Sequence, residues 1–514
     1  MNKTPRIGAF VLETLTTGMY MNPLDTLREF VQNSADSIRK AEEKGLITKG
    51  AGRIEIRLDP GKRVLIVRDN GIGISQEDTY DRLISIGISD KSIDADAGFR
   101  GIGRLAGIAY CRTLRFRTSM AGESAVSTID MDCEGIKRAI SPALRRVEEL
   151  ADVMAKYSKA GQERSNLDDH FFEVVMEDID DAGSVFLDWR TVEKYLSQVA
   201  PVEYDAHRFV FATKISEWLK HHGLSVPTVT LVIKTPEIER QVFKPYKGHY
   251  KTERENHDVI IRDVCFYPES PLESSFWIWY SKTDLLGMIG DEAAAGLRLR
   301  KNNIAIGGAD RVAEVFKEVA VSYGRFNAYY IGEIHVISPE AVPNARRDGF
   351  EDVGTWPKIR SELVQFARAR CEEIRHSSEA RNRSVAKIIP KAKKVVEDVN
   401  KRLKTGIASA EERDALLAKV TKQQELIDKA VKTSKEPQDV TELTPIIDSL
   451  ENARKSLEQG DHFLTKKLRS TLDRKQRKVV QEILDILYET LDEIQFSKAK
   501  DAILKKFGAD GGNS

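Results

Sequence analysis

Three short stretches hold residue types at spacings that could do chemistry: Leu27 to Asp36 (LREFVQNSAD), Asp69 to Gly73 (DNGIG) and Gly98 to Arg104 (GFRGIGR). On a helix turning roughly 100° per residue, Leu24, Leu27, Val31, Ala35 and Ile38 share one apolar arc, and Glu29, Asn33 and Asp36 gather opposite it. Asp69 ends an apolar run, Arg63 to Arg68, that reads as a buried strand. A carboxylate held there can accept a hydrogen bond from an exocyclic amine, and a ligand without that amine leaves it unpaired. Asp69 is therefore read as the residue that reads adenine. Gly71 and Gly73 let the backbone approach a flat base or turn sharply. Glycine N–H groups at Gly98, Gly101 and Gly103, opening onto a helix at Leu105 to Ala109, suit phosphates, with Lys91 or Arg104 adding charge. This is not a Walker A loop, which needs GxxxxGK[ST]. Taken singly, the three stretches also fit a solvated helix face, an ordinary turn and a flexible connection.

The elements that must position these residues can be read from the same pattern. Asn22 and Pro23 form a helix start, and the helix runs to about Glu43, before Gly45. Ile54, Ile56 and Leu58 alternate with Glu55 and Arg57, and a Pro60-Gly61-Lys62 turn returns the chain into Val64 to Val67, making a hairpin. Strands are expected at Leu114 to Thr118, Val126 to Met131 and Phe171 to Ile179, a helix at Gly135 to Ala160 and a loop at Gly161 to Asp169. Together these make a two-layer α/β sandwich over residues 1–190. Helices at Trp189 to Pro201 and His207 to Gly223, then strands at Val229 to Lys234, Val259 to Tyr267, Phe276 to Tyr280, Leu297 to Ile306 and Tyr329 to Ile337, predict a second α/β domain over 191–350.

From Glu351 to Phe507 helix formers dominate, and Val385, Ile388, Ala392, Val395 and Val399, then Val480, Ile483, Leu487, Leu491 and Ile494, keep 3 and 4 spacings. Ser409 with Glu412 forms a capping box. Breaks at Pro390, Thr405-Gly406, Pro437, Pro445 and Gly460 predict a helical bundle or interrupted coiled coil over 351–507, with 508–514 a disordered tail. Lys466 to Lys478 is a basic run; without interleaved aromatics it reads as a solvated face before a nucleic-acid contact.

Composition narrows the function classes. At 514 residues the chain has room for about three domains. Lys+Arg and Asp+Glu are each 80, so no global field argues for nucleic acid or membrane. Cys111, Cys133, Cys265 and Cys371 show neither zinc-ligand nor disulfide spacing, and a reducing cytoplasm is the expected compartment. No signal-peptide pattern and no run of 18 apolar residues is present, so secretion and a membrane location are not expected.

The three stretches, in this order, resemble the nucleotide site of the GHKL ATPases, the group of gyrase, heat-shock protein 90, MutL, MORC and histidine kinases. LREFVQNSADS is similar to the helix in which Glu29 would be the general base, Asn33 the magnesium ligand and Asp36 a nearby polar support. DNGIGIS resembles the adenine box, GISDK at Gly87 to Lys91 the lid signature of MORC-type proteins, and GFRGIGRLAG the second glycine box. The late strand that often starts with glycine and threonine is matched by Gly183 to Leu187, which has Ser184 in place of threonine. Ala341 to Asp348 (AVPNARRD) resembles the middle-domain loop of heat-shock protein 90, placing Arg347 where an arginine reaches ATP and Arg346 beside it.

The resemblance implies a Bergerat-type ATP-binding sandwich, an α/β middle domain, and ATP with Mg2+ turned over slowly. It also implies a dimeric clamp acting on a protein partner or client through the C-terminal helices. A MORC- or MutL-like nucleic-acid clamp and an ATP-sensing scaffold with negligible hydrolysis remain the alternatives. A histidine kinase is disfavoured, since no histidine-bearing dimerisation helix precedes the site.

Overall fold

The computed structural model describes residues 7–15, 18, 22–86, 103–141, 148–254, 256–382, 385–407, 409–433, 437–459 and 472–507. The chain forms two compact units, Met1–Ile374 and Arg375–Ser514.

The first unit opens with α1 (Val11–Leu15), α2 (Asp25–Glu43), β1 (Arg53–Asp59), β2 (Val64–Asp69) and α3 (Thr79–Ile84). A 3-10 turn (Gly103–Ala109), β3 (Thr113–Ser119), β4 (Ala125–Asp132), α4 (Cys133–Ala139), α5 (Leu150–Lys156), β5 (Ser158–Arg164) and β6 (Phe171–Glu177) follow. After α6 (Trp189–Val199) and α7 (Ala212–His221) come β7 (Thr230–Lys234) and β8 (Glu239–Val242).

These strands make one eight-stranded sheet in the order β5-β4-β3-β6-β2-β1-β7-β8. Its pairs are antiparallel apart from β1 with β7. Alternation along β1 sends Ile54, Ile56 and Leu58 into a core shared with Leu27, Phe30, Val31 and Ile38 of α2. The other face carries Arg53, Glu55 and Arg57, with Lys234 on Glu55 at 2.8 Å. β2 is therefore a central strand, and its last residue, Asp69, stands between Ile54 of β1 and Phe172 of β6.

Both ends of α2 are set locally. Asn22 Oδ1 accepts the Leu24 N–H at 3.1 Å. At the far end Gly45, at φ 71°, lets Leu46 N–H reach Ala41 O at 2.9 Å and Gly45 N–H reach Glu42 O at 3.0 Å, a closure that needs the left-handed region.

Three local expectations are corrected. The helix predicted over Gly135 to Ala160 is instead two short ones, α4 and α5, followed by β5, which also takes the start of the loop predicted over Gly161 to Asp169. In this edge strand only Ser158 is buried, so no apolar alternation marked it. Gly183 to Leu187 is not a strand but lies in a 3-10 helix (Asp181–Leu187), started by Asp180, whose side chain accepts the Gly183 N–H at 3.0 Å. Thr230 to Val242, assigned to the second domain, extend the first sheet beside β1, a pairing across well over a hundred residues that local pattern cannot carry.

The rest of the unit holds the pair β9 (His249–Lys251) and β10 (Asp258–Ile260), then β11 (Asp263–Tyr267), β12 (Phe276–Lys282), β13 (Gly296–Lys301), β14 (Ile304–Ala305), α8 (Ala309–Val319), β15 (Ile331–Val336) and α9 (Trp356–Asn382). A five-stranded sheet runs β11-β12-β15-β13-β14. Along β12, Phe276 and Ile278 enter the core with α8 and α9, while Trp277 and Trp279 enter the core with α7. Both faces are covered, which explains why the strand reads as a continuous apolar run.

The second unit continues with α10 (Val385–Thr405), α11 (Ala410–Thr433), α12 (Pro437–Gln459), α13 (Arg474–Thr490) and α14 (Glu493–Phe507). Ser409 caps α11, accepting the Glu412 N–H at 3.3 Å. Pro390 and Pro445 lie inside α10 and α12 and do not break them. Burial of Ile388 and Ala392, and of Leu443 and Ile446, offsets the one hydrogen bond each proline removes. Gly460, residues 466–471 of the basic run and the tail 508–514 lie outside the described residues. Among the described residues no helix is long and apolar enough to cross a membrane.

Candidate functional site

The polar face of α2 meets the end of β2. Glu29 and Asp36 are buried and Asn33 is half-buried. The turn after Asp69 is pressed against α2 and β3. A Cβ on Gly71 would lie 2.2 Å from Ser37 Oγ, and one on Gly73 1.9 Å from Ser119 O, with Gly73 at φ 73°. No side chain fits at either position. The turn is pinned by Ile72 N–H on Ser37 O at 3.2 Å and Ile74 N–H on Thr118 Oγ1 at 2.8 Å. His170 Nδ1 donates to Gly71 O at 2.8 Å. Thr118 in turn donates to Phe171 O at 2.9 Å, tying β3 and β6 to the turn.

Asp69 is only 2% exposed. Its Oδ1 accepts the Gly71 N–H at 2.8 Å, and its Oδ2 has no hydrogen-bond partner among the described residues. Burial pushes the carboxyl up to about 6, against the opposing pull of the Ser34 hydroxyl, the Gly71 and Phe172 N–H groups and Arg68. Ser34 and Phe172 stand near the carboxylate without completing hydrogen-bond geometry at Oδ2. An acceptor is thus left waiting at the closed end of a strand, beside a turn that only glycine can form. An exocyclic amine fits that acceptor.

At the other end of the α2 face, a Cβ on Gly103 would lie 2.4 Å from Glu29 Oε2, so the 3-10 turn also approaches α2 closely. Glu29 Oε1 stands 3.2 Å from Arg347 Nε and 3.5 Å from Arg28 Nη2. Arg347 belongs to the loop closed by the Pro343–Phe350 bridge. There Asn344 Nδ2 donates to Asp348 Oδ1 at 2.7 Å, and Gly307 N–H donates to Arg347 O at 2.8 Å. Arg347 itself sits at φ 53°, a strained conformation for a residue with a Cβ. Arg346 O accepts Arg28 Nη2 at 3.1 Å, so the arginine pair is joined to α2 at two points.

A buried ionic cluster fixes the five-stranded sheet that carries this loop. Glu333 Oε1 holds Lys244 Nζ at 2.7 Å and Arg300 Nε at 2.5 Å, and Glu333 Oε2 accepts Tyr204 OH at 2.7 Å. Burial opposes the Glu333 charge, but Arg300 and Lys244 hold its carboxyl well below the usual range. Burial, helped by Arg300, pushes Lys244 down to about 7, and burial pushes His335 down to about 4. From this cluster Arg300 Nη2 reaches Gln198 O of α6 at 2.8 Å, and Asn303 Nδ2 reaches Pro227 O, just before β7, at 2.8 Å. The two sheets are locked together there, which places Arg347 against Glu29.

The remaining predicted residues divide. Lys91, Gly98 and Gly101 lie outside the described residues. Arg104 does not face open space: it donates to Leu83 O at 3.2 Å and to Ser85 O, and burial lowers its pKa to about 10. Ser184 is exposed on the 3-10 helix, and the strand beside β2 is β6. The residues found at the Asp69–Gly73 turn instead are Thr118 and His170, from β3 and the lead into β6. Gln32, on the α2 face beside Glu29, is 1% exposed with neither amide atom hydrogen-bonded among the described residues, and it too escaped the sequence reading. Buried, unpartnered polar groups on that face are the signal that marks it.

Residues 21–159 match the family described as histidine kinase-, DNA gyrase B-, and HSP90-like ATPase. This region is a GHKL, heat-shock protein 90-like ATPase domain. The matched region thus takes in α2, the Asp69–Gly73 turn and Gly103. Among curated proteins, the chain is 25% identical over 232 residues to chaperone protein HtpG of Cronobacter sakazakii, covering 41% of this chain and 34% of that one. It is 29% identical over 148 residues to HtpG of Mycobacterium bovis (24% and 22%) and 33% identical over 82 residues to HtpG of a Sulfurovum species (15% and 13%). The chain therefore spans about a third or less of the length of these relatives.

Proposed function

We propose that this protein binds ATP and hydrolyses it slowly, working as an ATP-gated homodimeric clamp on a protein partner through its helical unit. The observation that carries this reading is the orphaned, buried Oδ2 of Asp69 at the end of β2, in one unit with the Glu29–Arg347 pair. Asp69 takes the exocyclic amine of adenine, and Gly71 and Gly73 let the base lie against backbone. Asn33 and Asp36, with Gly98, Gly101, Gly103 and Lys91, serve the phosphate end, while Arg104 holds the chain at Leu83 and Ser85. Magnesium held through Asn33 would supply positive charge to the phosphates.

Glu29 draws the proton from the attacking water, and for this it must be released from Arg347. Arg347 then stabilises charge developing on the γ-phosphate, a contribution that reaches several powers of ten in comparable sites. An arginine delivered from the second sheet makes turnover depend on how the two sheets are held, which is what a clamp requires. With all four thiols unbridged, a reducing cytoplasm is the compartment assigned.

Phosphate release by the full chain, with Glu29→Ala as the blank, tests the reading. Turnover should fall roughly 10²- to 10⁴-fold while nucleotide affinity survives. Equal phosphate release by the two proteins would refute it.

A further inference from the structure

One buried polar side chain on the α2 face, Gln32, has no part in the proposed function. It is 1% exposed, and neither its Oε1 nor its Nε2 has a hydrogen-bond partner among the described residues. A primary amide offers two donors and an acceptor with two lone pairs, so leaving them unmet in the interior costs the fold stability. An apolar side chain of the same length would carry no such cost.

The place of Gln32 on the helix decides what its amide faces. With Glu29 as the origin and roughly 100° per residue, Asn33 falls roughly 40° to one side, Gln32 roughly 60° to the other, and Arg28 roughly 40° beyond Gln32. The Asn33 flank continues to Ser37 and Ser34, which stand against Gly71 and Asp69. The Gln32 flank is the one met by the loop from the second sheet. There Arg346 O accepts from Arg28 Nη2 at 3.1 Å, and Arg347 Nε stands 3.2 Å from Glu29 Oε1. Gln32 follows Arg28 by four residues and Glu29 by three, so it lies one turn along from both contacts. Adenine on Asp69 thus belongs to one flank, and the phosphate that Arg347 serves to the other, beside Gln32.

We propose that Gln32 holds the attacking water in line with the γ-phosphate once Arg347 has left Glu29. Its Oε1 accepts one hydrogen of that water while Glu29 takes the other as a proton, and its Nε2 donates to a γ-phosphate oxygen. The water oxygen bonds to the γ-phosphorus as the bond to the β–γ bridging oxygen breaks, and ADP leaves with that electron pair. A neutral amide suits the task, because it fixes the water without competing with Glu29 for the proton. While Arg347 stays on Glu29 there is no water to hold, and the amide has no partner. This deepens the proposed ATPase and rests on that reading.

Phosphate release by the full chain, ATP affinity by calorimetry and urea unfolding test it in Gln32→Met and Gln32→Ala. Gln32→Met keeps the length of the side chain and removes the amide. It should lower kcat roughly tenfold to a hundredfold with ATP affinity kept within about twofold, and it should raise the urea midpoint by removing the unmet polar group. Gln32→Ala should lose the same turnover but have the lower midpoint of the two, since it leaves a cavity. An amide that only supports the fold would give a lower midpoint for Gln32→Met than for wild type, with affinity lost alongside kcat. That pattern, or turnover by Gln32→Met within about twofold of wild type, would overturn the role of Gln32 while leaving the ATPase. A wild type that releases no more phosphate than Glu29→Ala would overturn both.

Discussion

Replacing Asp69 by asparagine should separate stability from ligand binding in opposite directions. In the folded chain burial raises this carboxyl from 3.8 to about 6, so between those values the folded state holds the proton that the unfolded state has released. Its stabilising effect is complete below about pH 4 and lost as pH rises through 6, amounting to about 3 kcal/mol against the folded state at neutral pH. The amide carries no such penalty. It keeps an acceptor for the Gly71 N–H, weakened by about 1 kcal/mol for the lost charge, so Asp69→Asn should gain roughly 1–2 kcal/mol at pH 7.5 and nothing at pH 4.

His335, held down to about 4, acts with the opposite sign, since stability drops as pH falls from 6.5 toward 4. The difference between variant and wild type, not either curve alone, therefore carries the test. All five tryptophans, Trp189, Trp218, Trp277, Trp279 and Trp356, lie in the first unit, so urea unfolding followed by tryptophan fluorescence reports that unit within the full chain. ATP binding by calorimetry should vanish in the variant. In the wild type it should weaken about tenfold per pH unit below 6, because the proton must leave before the amine can be accepted. A variant that is less stable at pH 7.5, or that binds ATP like the wild type, would refute the assignment of Asp69.

Arg347→Ala and Arg347→Gly should both lose phosphate release by at least about tenfold while binding ATP. Of the two, the glycine variant should be the more stable by about 1 kcal/mol, because φ 53° costs glycine nothing; equal unfolding midpoints would contradict the strain at this residue. Gly73→Ala should destabilise the first unit by at least about 1 kcal/mol and weaken ATP binding in calorimetry, since the new Cβ meets Ser119 O. Glu333→Gln leaves Lys244 and Arg300 buried without their counter-charge and should cost about 3–5 kcal/mol in urea unfolding, far more than a surface carboxylate would.

What the sequence makes legible here follows from range. α2 announces itself because Asn22, the apolar arc and Gly45 lie within one stretch, and the β1–β2 hairpin because its turn is local. Glu29, Asn33, Asp36, Asp69 and the two turn glycines ride on those elements. β5 was hidden because an exposed edge strand has no reason to alternate; β7 was legible as a strand at Val229 to Lys234, but its place beside β1 was hidden because that partner is far away in sequence. Thr118 and His170 reach the Asp69–Gly73 turn only through the strand order β3-β6-β2, which no local pattern encodes. Glu333, Lys244 and Arg300 read as surface charge until the second sheet buries them together. Ser184 misled because glycine, a hydroxyl and apolar residues in sequence describe a 3-10 turn as well as a strand.

The central claim is that Asp69, Asn33 and Glu29 serve one nucleotide. A crystal structure of the full chain with magnesium and a nonhydrolysable ATP analogue measures this directly. The account predicts the adenine amine on Asp69 Oδ2, the cation on Asn33, and Glu29 parted from Arg347. An analogue bound elsewhere, or none bound while these side chains keep their present contacts, would contradict it.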